Sequence, residues 1–208
     1  MLGTKVTRPS HRDLPVEIFD DFFTTETADE IRSRMEQPRW SFTGGRPPNS
    51  FWHMDGLEHD DYFRDHLFGL ICNRLGRTFR ILRVYANGQV TSAHANHRAP
   101  TMHCHVTPTV IAPLPQTALQ CGSPHVDDGD VTFLYYPNPT WRSSWGGGLR
   151  FVRSPHKTLQ SRRKAGDVIR YVPNRALLFP ASLVHYAEAP TKHFAGLRVS
   201  LAYKLLNR

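Results

Sequence analysis

The spacing of hydrophobic positions changes character near residue 78. Before that point one strand-like run and two helical stripes stand out. Residues 14–24 (LPVEIFDDFFT) alternate as a strand does. Residues 27–37 (TADEIRSRMEQ) place Ala28, Ile31 and Met35 on one face, and Thr27 with Glu30 has capping-box spacing. Residues 39–45 (RWSFTGG) read as a strand entering a turn. Residues 61–76 (DYFRDHLFGLICNRLG) carry a stripe of Tyr62, Phe63, His66, Leu67, Leu70, Ile71 and Leu75, and Gly76 is the stop signal.

From Thr78 onward the runs are short and rich in β-branched and aromatic residues. They are TFRILRVYANG, DVTFLYYPN, GGLRFVRS, DVIRYVPN, RALLFPAS, LVHYAEAP and GLRVSLAYKLL. Gly, Pro, Asn or Ser separates most of them, which is the pattern of an all-β sandwich or barrel. The expected architecture is therefore mainly β, a double sheet with two or more N-terminal helices packed outside. A single domain over 1–208 follows, with helical support to about residue 77 and a core over about 78–206. Residues 90–121 break the rhythm, with Arg98 as their one charged residue. A stretch that long between strands reads as a lid or insertion.

Composition narrows the class. The chain has 208 residues and 39% hydrophobic content, enough for a substantial core. No window approaches the roughly 20 apolar residues of a membrane span. The N-terminal residues MLGTKVTRPSHRD contain no apolar signal core, and Cys72, Cys104 and Cys121 are few and scattered. A cytoplasmic protein without a disulfide framework is expected. The net charge of +8 is concentrated around Arg150, Arg153, Lys157, Arg162, Arg163, Lys164, Arg170 and Arg175. Such a face suits an anionic substrate or nucleic acid, although runs of charge are most often solvated surface.

The candidate chemistry lies at His125-Val126-Asp127. The chain contains four His-x-Asp matches, at His11, His53, His59 and His125, where about one is expected from 12 histidines and 18 acids. Context separates them. His11 lies in a polar tail. His59 and Asp61 precede a helix, where acids suit the positive end. His53 follows Phe51-Trp52 and suits a pocket wall, with no evident partner. His125 and Asp127 stand directly before a β run that can hold both. His185 lies in another β run, and two imidazoles with one carboxylate make the facial triad that suits non-haem Fe(II). Three coordination positions would stay open, two for a bidentate 2-oxo acid and one for O2. The far carboxylate of such a co-substrate needs a buried cation, and Arg198, alternating as a strand residue, suits that task. An exposed strand arginine is the ordinary alternative.

His125, Asp127, His185 and Arg198, together with RVYANG, VTFLYYPNPTW, WGGGLRFV and NRALLFPASLVHYA, resemble the prolyl 4-hydroxylase-like Fe(II)/2-oxoglutarate dioxygenases over roughly residues 78–206. The resemblance implies a double-stranded β-helix, the cupin-like jelly roll. It implies His125, Asp127 and His185 as iron ligands and Arg198 as partner of the 2-oxoglutarate C5 carboxylate. Tyr136, Tyr85 and Ser200 match further positions on the co-substrate side; both tyrosines are also readable as core aromatics, Tyr85 equally so. The implied reaction is oxidation, most often hydroxylation, of an unactivated C–H bond in a small molecule, amino acid or peptidyl residue. Succinate and CO2 are the co-products. The long 90–121 stretch departs from compact relatives.

Other readings stay open at this point. His94, His97, His103, Cys104, His105 and Cys121 offer zinc-type donors, without any Cys-x2-Cys pair. Arg198 and Lys204 on one strand, with the basic charge, permit an oxidative nucleic-acid demethylase of the same cofactor class. A non-catalytic cupin-like ligand-binding module is the alternative outside enzymology. Trp141, Trp145 and Gly146–Gly148 suit either a cover over the pocket mouth or a tight strand connection.

Overall fold

The structure is a computed structural model that describes residues 14–43, 51–91, 125–152 and 167–208. The lid or insertion, apart from Val90 and Thr91, lies outside the described residues. So do its zinc-type donors and the basic side chains of residues 153–166.

The N-terminal part forms β1 (Glu17–Phe19), α1 (Thr25–Met35), β2 (Ser41–Thr43) and β3 (Phe51–Met54). Helix α1 begins earlier than the Thr27 capping box predicts. Thr24 is the cap: its backbone is extended, and its hydroxyl accepts from the Thr27 N–H at 3.3 Å. Ile31 and Met35 are buried as the stripe requires. The second helical stretch opens as a π-type turn, Tyr62–Leu67, and continues as α2 (Phe68–Leu75), ending at Gly76 with φ 62°. Tyr62, Phe63, Leu67 and Ile71 are buried. His66 is exposed, contrary to its place in the 3.6-residue stripe, because the wider turn rotates it outward. Strand β3 had no clear sequence signal; four residues are too few to show a period.

All seven predicted β runs form strands: β4 (Phe79–Gln89), β5 (Val131–Tyr135), β6 (Leu149–Phe151), β7 (Asp167–Ile169), β8 (Ala176–Pro180), β9 (His185–Ala187) and β10 (Arg198–Asn207). Two antiparallel sheets result. The larger runs β1-β8-β5-β10-β4-β3-β2, and the smaller runs β7-β6-β9. This is the expected jelly roll with helices outside. Among the described residues no helix is long and apolar enough to cross a membrane.

The central strands of the large sheet are buried on both faces, and strand alternation sorts their side chains. Val84 and Ala86 of β4, Phe133 and Tyr135 of β5, and Val199, Leu201 and Tyr203 of β10 face the helices. There they join Phe22, Ile31, Phe63, Leu67 and Ile71. The alternate positions, including Tyr85, Leu134 and Ala202, face the small sheet with Leu149, Phe151, Ile169 and Phe179. A β-bulge interrupts the β4–β10 pairing: Lys204 is opposite Arg83, and Leu205 is opposite Ile81. Leu82 is the extra residue and is exposed.

Asn174 joins the N-terminal segment to the end of β5. Its backbone is left-handed, with φ 55°. Its Oδ1 accepts from the Phe23 N–H at 3.0 Å and the Tyr135 hydroxyl at 3.1 Å, and its Nδ2 donates to the Phe23 carbonyl at 2.8 Å. Asn174→Ala is expected to cost about 2–4 kcal/mol in urea unfolding, since it removes these bonds and strains the backbone. Asn174→Gly relieves the backbone strain and is expected to recover about 1 kcal/mol of that loss.

Candidate metal centre

His125 and His185 are 60 positions apart in sequence and directly opposite in space. They form an isolated antiparallel bridge, each backbone N–H donating to the other's carbonyl at 2.9 Å. Their ring centroids are 4.6 Å apart. Asp127 is held by its own N–H, which donates to the Ala181 carbonyl at 2.9 Å. The turn that follows is pinned by the Asp130 N–H on the Leu205 carbonyl. Gly129 makes this turn possible. Its φ is 88°, and an added Cβ would lie 2.8 Å from the Leu205 carbonyl oxygen.

One donor atom from each of His125, Asp127 and His185 lies within 4.8 Å of the others. His125 Nε2 is 3.8 Å from Asp127 Oδ1, and His185 Nε2 is 3.4 Å from Asp127 Oδ2. The His185 Nδ1–H donates to the Leu183 carbonyl at 2.7 Å, which leaves the Nε2 lone pair facing the carboxylate. Burial between Phe179 and Phe151 pushes His185 down to about 4, so the imidazole is neutral and fit to ligate at neutral pH.

The Asp127 side chain is fully buried, which by itself would raise its pKa. Lys204, His185 and Thr132 outweigh burial and hold the carboxyl below its ordinary range. Oδ2 accepts from the Thr132 hydroxyl at 2.7 Å and from the Lys204 ammonium, whereas Oδ1 has no hydrogen-bond partner among the described residues. Burial alone would lower Lys204, but Tyr85 and Asp127 beside it leave it raised. Lys204 is 4% exposed.

Arg198 forms the other end of the same pocket. It is wholly buried and makes no ion pair among the described residues. Its Nε donates to the Gly147 carbonyl at 2.7 Å and its Nη1 to Gln89 Oε1 at 3.1 Å, while Nη2 has no hydrogen-bond partner among the described residues. The ring centroids of Tyr171 and Tyr136 lie 5.2 and 5.6 Å from the guanidinium carbon. Burial pushes the Tyr136 hydroxyl up to about 12 despite Arg198, and that hydroxyl makes no hydrogen bond among the described residues either. Two uncompensated donors beside a buried cation make a place for an anion.

The structure thus brings His125, Asp127, His185, Arg198, Ser200 and Tyr85 to the walls of one pocket, with Tyr136 behind Arg198. Phe179 lines it also, while Phe133 turns to the helix-side core. His53 is a neighbour of this wall. It stacks on Tyr85 at 5.6 Å and pairs with Asn87 at 3.2 Å. Gly147 lies against Arg198, and Trp141 packs beside it. Trp141 donates to the Gly146 carbonyl and packs on Tyr171, and Gly147 holds the guanidinium. Sequence reasoning missed Thr132, Lys204 and Gln89 as parts of the site. Lys204 had a signal: it shares the alternation of Arg198, Ser200 and Ala202. Its burial removes it, with Arg198, from any outer basic face. Arg150 and Arg175 are paired with Glu188 and Asp20.

No family model matches the sequence, and no curated protein matches it. Solved structures do match. An oxidoreductase of the 2OG-Fe(II) oxygenase family from Burkholderia pseudomallei aligns with a TM-score of 0.57 at 11% identity, over 93% of this chain and 85% of that one. A Pseudomonas putida prolyl-4-hydroxylase gives 0.56 at 12% identity, over 95% of each chain. HygX from Streptomyces hygroscopicus, solved with nickel, 2-oxoglutarate and hygromycin B bound, gives 0.57 at 11% identity, over 92% of this chain and 83% of that one. The chain shares the jelly-roll fold of the 2-oxoglutarate/Fe(II) oxygenases.

Proposed function

We propose that this protein is an Fe(II)/2-oxoglutarate-dependent dioxygenase that hydroxylates an unactivated C–H bond. The observation that carries the reading is a pair of uncompensated atoms in one pocket. Among the described residues Asp127 Oδ1 stands unpartnered beside two histidines and Arg198 Nη2 stands unpartnered at the other end, with the Tyr136 hydroxyl behind that arginine. A ferrous ion fits the first group, because two neutral imidazoles and a carboxylate are its usual donors. A dicarboxylate fits the second, because it supplies the charge that buried Arg198 lacks.

In this reading His125, Asp127 and His185 hold the metal. Arg198 and Tyr136 bind the C5 carboxylate of 2-oxoglutarate, with Ser200 and Tyr85 on the pocket wall. The bound metal supplies the redox chemistry by which O2 and 2-oxoglutarate become succinate and CO2, one oxygen atom entering the substrate. Leu134, Leu149, Phe179 and Ala202 keep water from the pocket. The planar guanidinium of Arg198 offers the co-substrate carboxylate a fixed fork of N–H donors. The helical support and the jelly roll act as one catalytic domain. The substrate class is a small molecule, amino acid or peptidyl residue.

The deciding experiment is succinate release from 2-oxoglutarate with added Fe(II) across a substrate panel, with product mass measured. An addition of one oxygen atom is expected with the correct substrate. A binding module would release no succinate even without substrate. His125→Ala and Asp127→Ala are each expected to abolish the iron-dependent release. Arg198→Ala is expected to raise the KM for 2-oxoglutarate by an amount corresponding to about 3–5 kcal/mol, as for loss of one partner of a buried ion pair. Gly147→Ala tests the mounting of that arginine. Its φ is 74°, and the added Cβ would lie 3.0 Å from Trp141 and 3.1 Å from Arg198 Nε. A KM for 2-oxoglutarate raised by about tenfold is expected there, from misplacing the guanidinium.

A further inference from the structure

Lys204 is a buried cation in contact with a proposed metal ligand, and the reading above gives it no task. Two donors, Thr132 Oγ1 and Lys204 Nζ, engage Oδ2 of Asp127, and none among the described residues engages Oδ1. The two donors also touch each other, with Lys204 Nζ donating to Thr132 Oγ1 at 3.4 Å. Both residues are nearly sealed from solvent, Thr132 at 1% and Lys204 at 4% exposure. The ammonium has little freedom to leave. The Tyr85 ring lies 5.4 Å from Nζ, and the bulge at Leu82 sits on the paired strand beside it.

A carboxylate can bind a metal through one oxygen or through both. Hydrogen bonds to one oxygen draw its lone pairs away from the metal, and a fixed positive charge there repels an approaching cation. The other oxygen keeps its lone pairs. If both oxygens bound, one more coordination position would be filled, and a bidentate co-substrate would have to compete for it. We propose that Lys204, with Thr132, is a positioning residue that confines Asp127 to one-oxygen ligation through Oδ1, so that the metal keeps the positions a chelating 2-oxo acid needs. This rests on the metal reading above. It assigns to β10 a second task besides Arg198: one strand holds the far carboxylate at residue 198 and sets the metal's coordination at residue 204.

Loss of stability alone cannot decide the matter, because removing Lys204 leaves a buried carboxylate underpaired whatever its task. The test therefore reads the coordination sphere. Wild type, Lys204→Met, Lys204→Gln, Lys204→Arg and Thr132→Val are loaded anaerobically with Fe(II) and titrated with 2-oxoglutarate, following the visible metal-to-ligand charge-transfer band. Circular dichroism confirms folding. The expected result is a displaced band in Lys204→Met and a Kd for 2-oxoglutarate raised by at least about tenfold. Lys204→Arg is expected to restore the wild-type band, and Lys204→Gln, which keeps a donor but no charge, to lie between. Thr132→Val is expected to shift the band in the same direction as Lys204→Met. A folded Lys204→Met with the wild-type band and Kd overturns the inference, whatever its melting temperature. If the Lys204 variants do not fold, an unshifted band in Thr132→Val overturns it. A wild-type protein that gives no band overturns the dioxygenase reading itself, which separates the two failures.

Discussion

Strand β10 is buried on both faces, and that constraint organises the molecule. Val199, Leu201 and Tyr203 must pack against the helices, so Arg198, Ser200, Ala202 and Lys204 must point into the space between the sheets. A shift of one residue would exchange the two sets. It would drive a guanidinium and an ammonium into the Phe63–Leu67–Ile71 layer, at several kcal/mol per ion. The apolar half of the strand therefore secures the register that the polar half needs. The Tyr203 hydroxyl strengthens the lock by donating to the Phe63 carbonyl at 3.0 Å.

The two sheets together bring distant ligands into one place. His125 lies before β5 and His185 opens β9, and backbone pairing between the two residues fixes their separation. The imidazoles are thus positioned by main-chain hydrogen bonds, which are stiffer than side-chain packing. Asp127 is tied into the same corner through Ala181 and, by way of Asp130, through Leu205. Phe151 and Phe179 then dry the corner, which keeps His185 neutral. Burial, ordinarily a cost for polar groups, here sets the protonation state that metal ligation requires.

Charge balance links the two ends of the pocket. Lys204 is answered by Asp127, whereas among the described residues Arg198 is answered by neutral acceptors, Gly147 and Gln89, with aromatic rings around it. A buried guanidinium in that state is incomplete, and its unpartnered nitrogen indicates where an anion belongs. The chain shares its fold with solved oxygenases at identities of only 11–12%. The architecture needs alternation and volume at most positions and specific chemistry at only a few.

Alternation and turn residues were enough to read seven strands and two helical segments, because each signal is local. The candidate ligands were legible as well, since His125-x-Asp127 precedes a strong strand run and the surrounding motifs resemble a known family. Other features were not readable. Helix α1 is capped by Thr24 because that residue alone has the extended backbone a cap needs, and His66 leaves its stripe because a π-type turn alters the period. Lys204 looked like one more basic residue in a chain of charge +8. Only strand pairing across 72 positions puts it beside Thr132, and only that contact turns a surface-type residue into part of the site. The sequence by itself determined which residues alternate and which side chains carry ligand chemistry, because these depend on neighbours a few positions away. The tertiary structure decided which charges are buried together and which buried atoms lack partners, because those depend on strands that meet only after the sheets close.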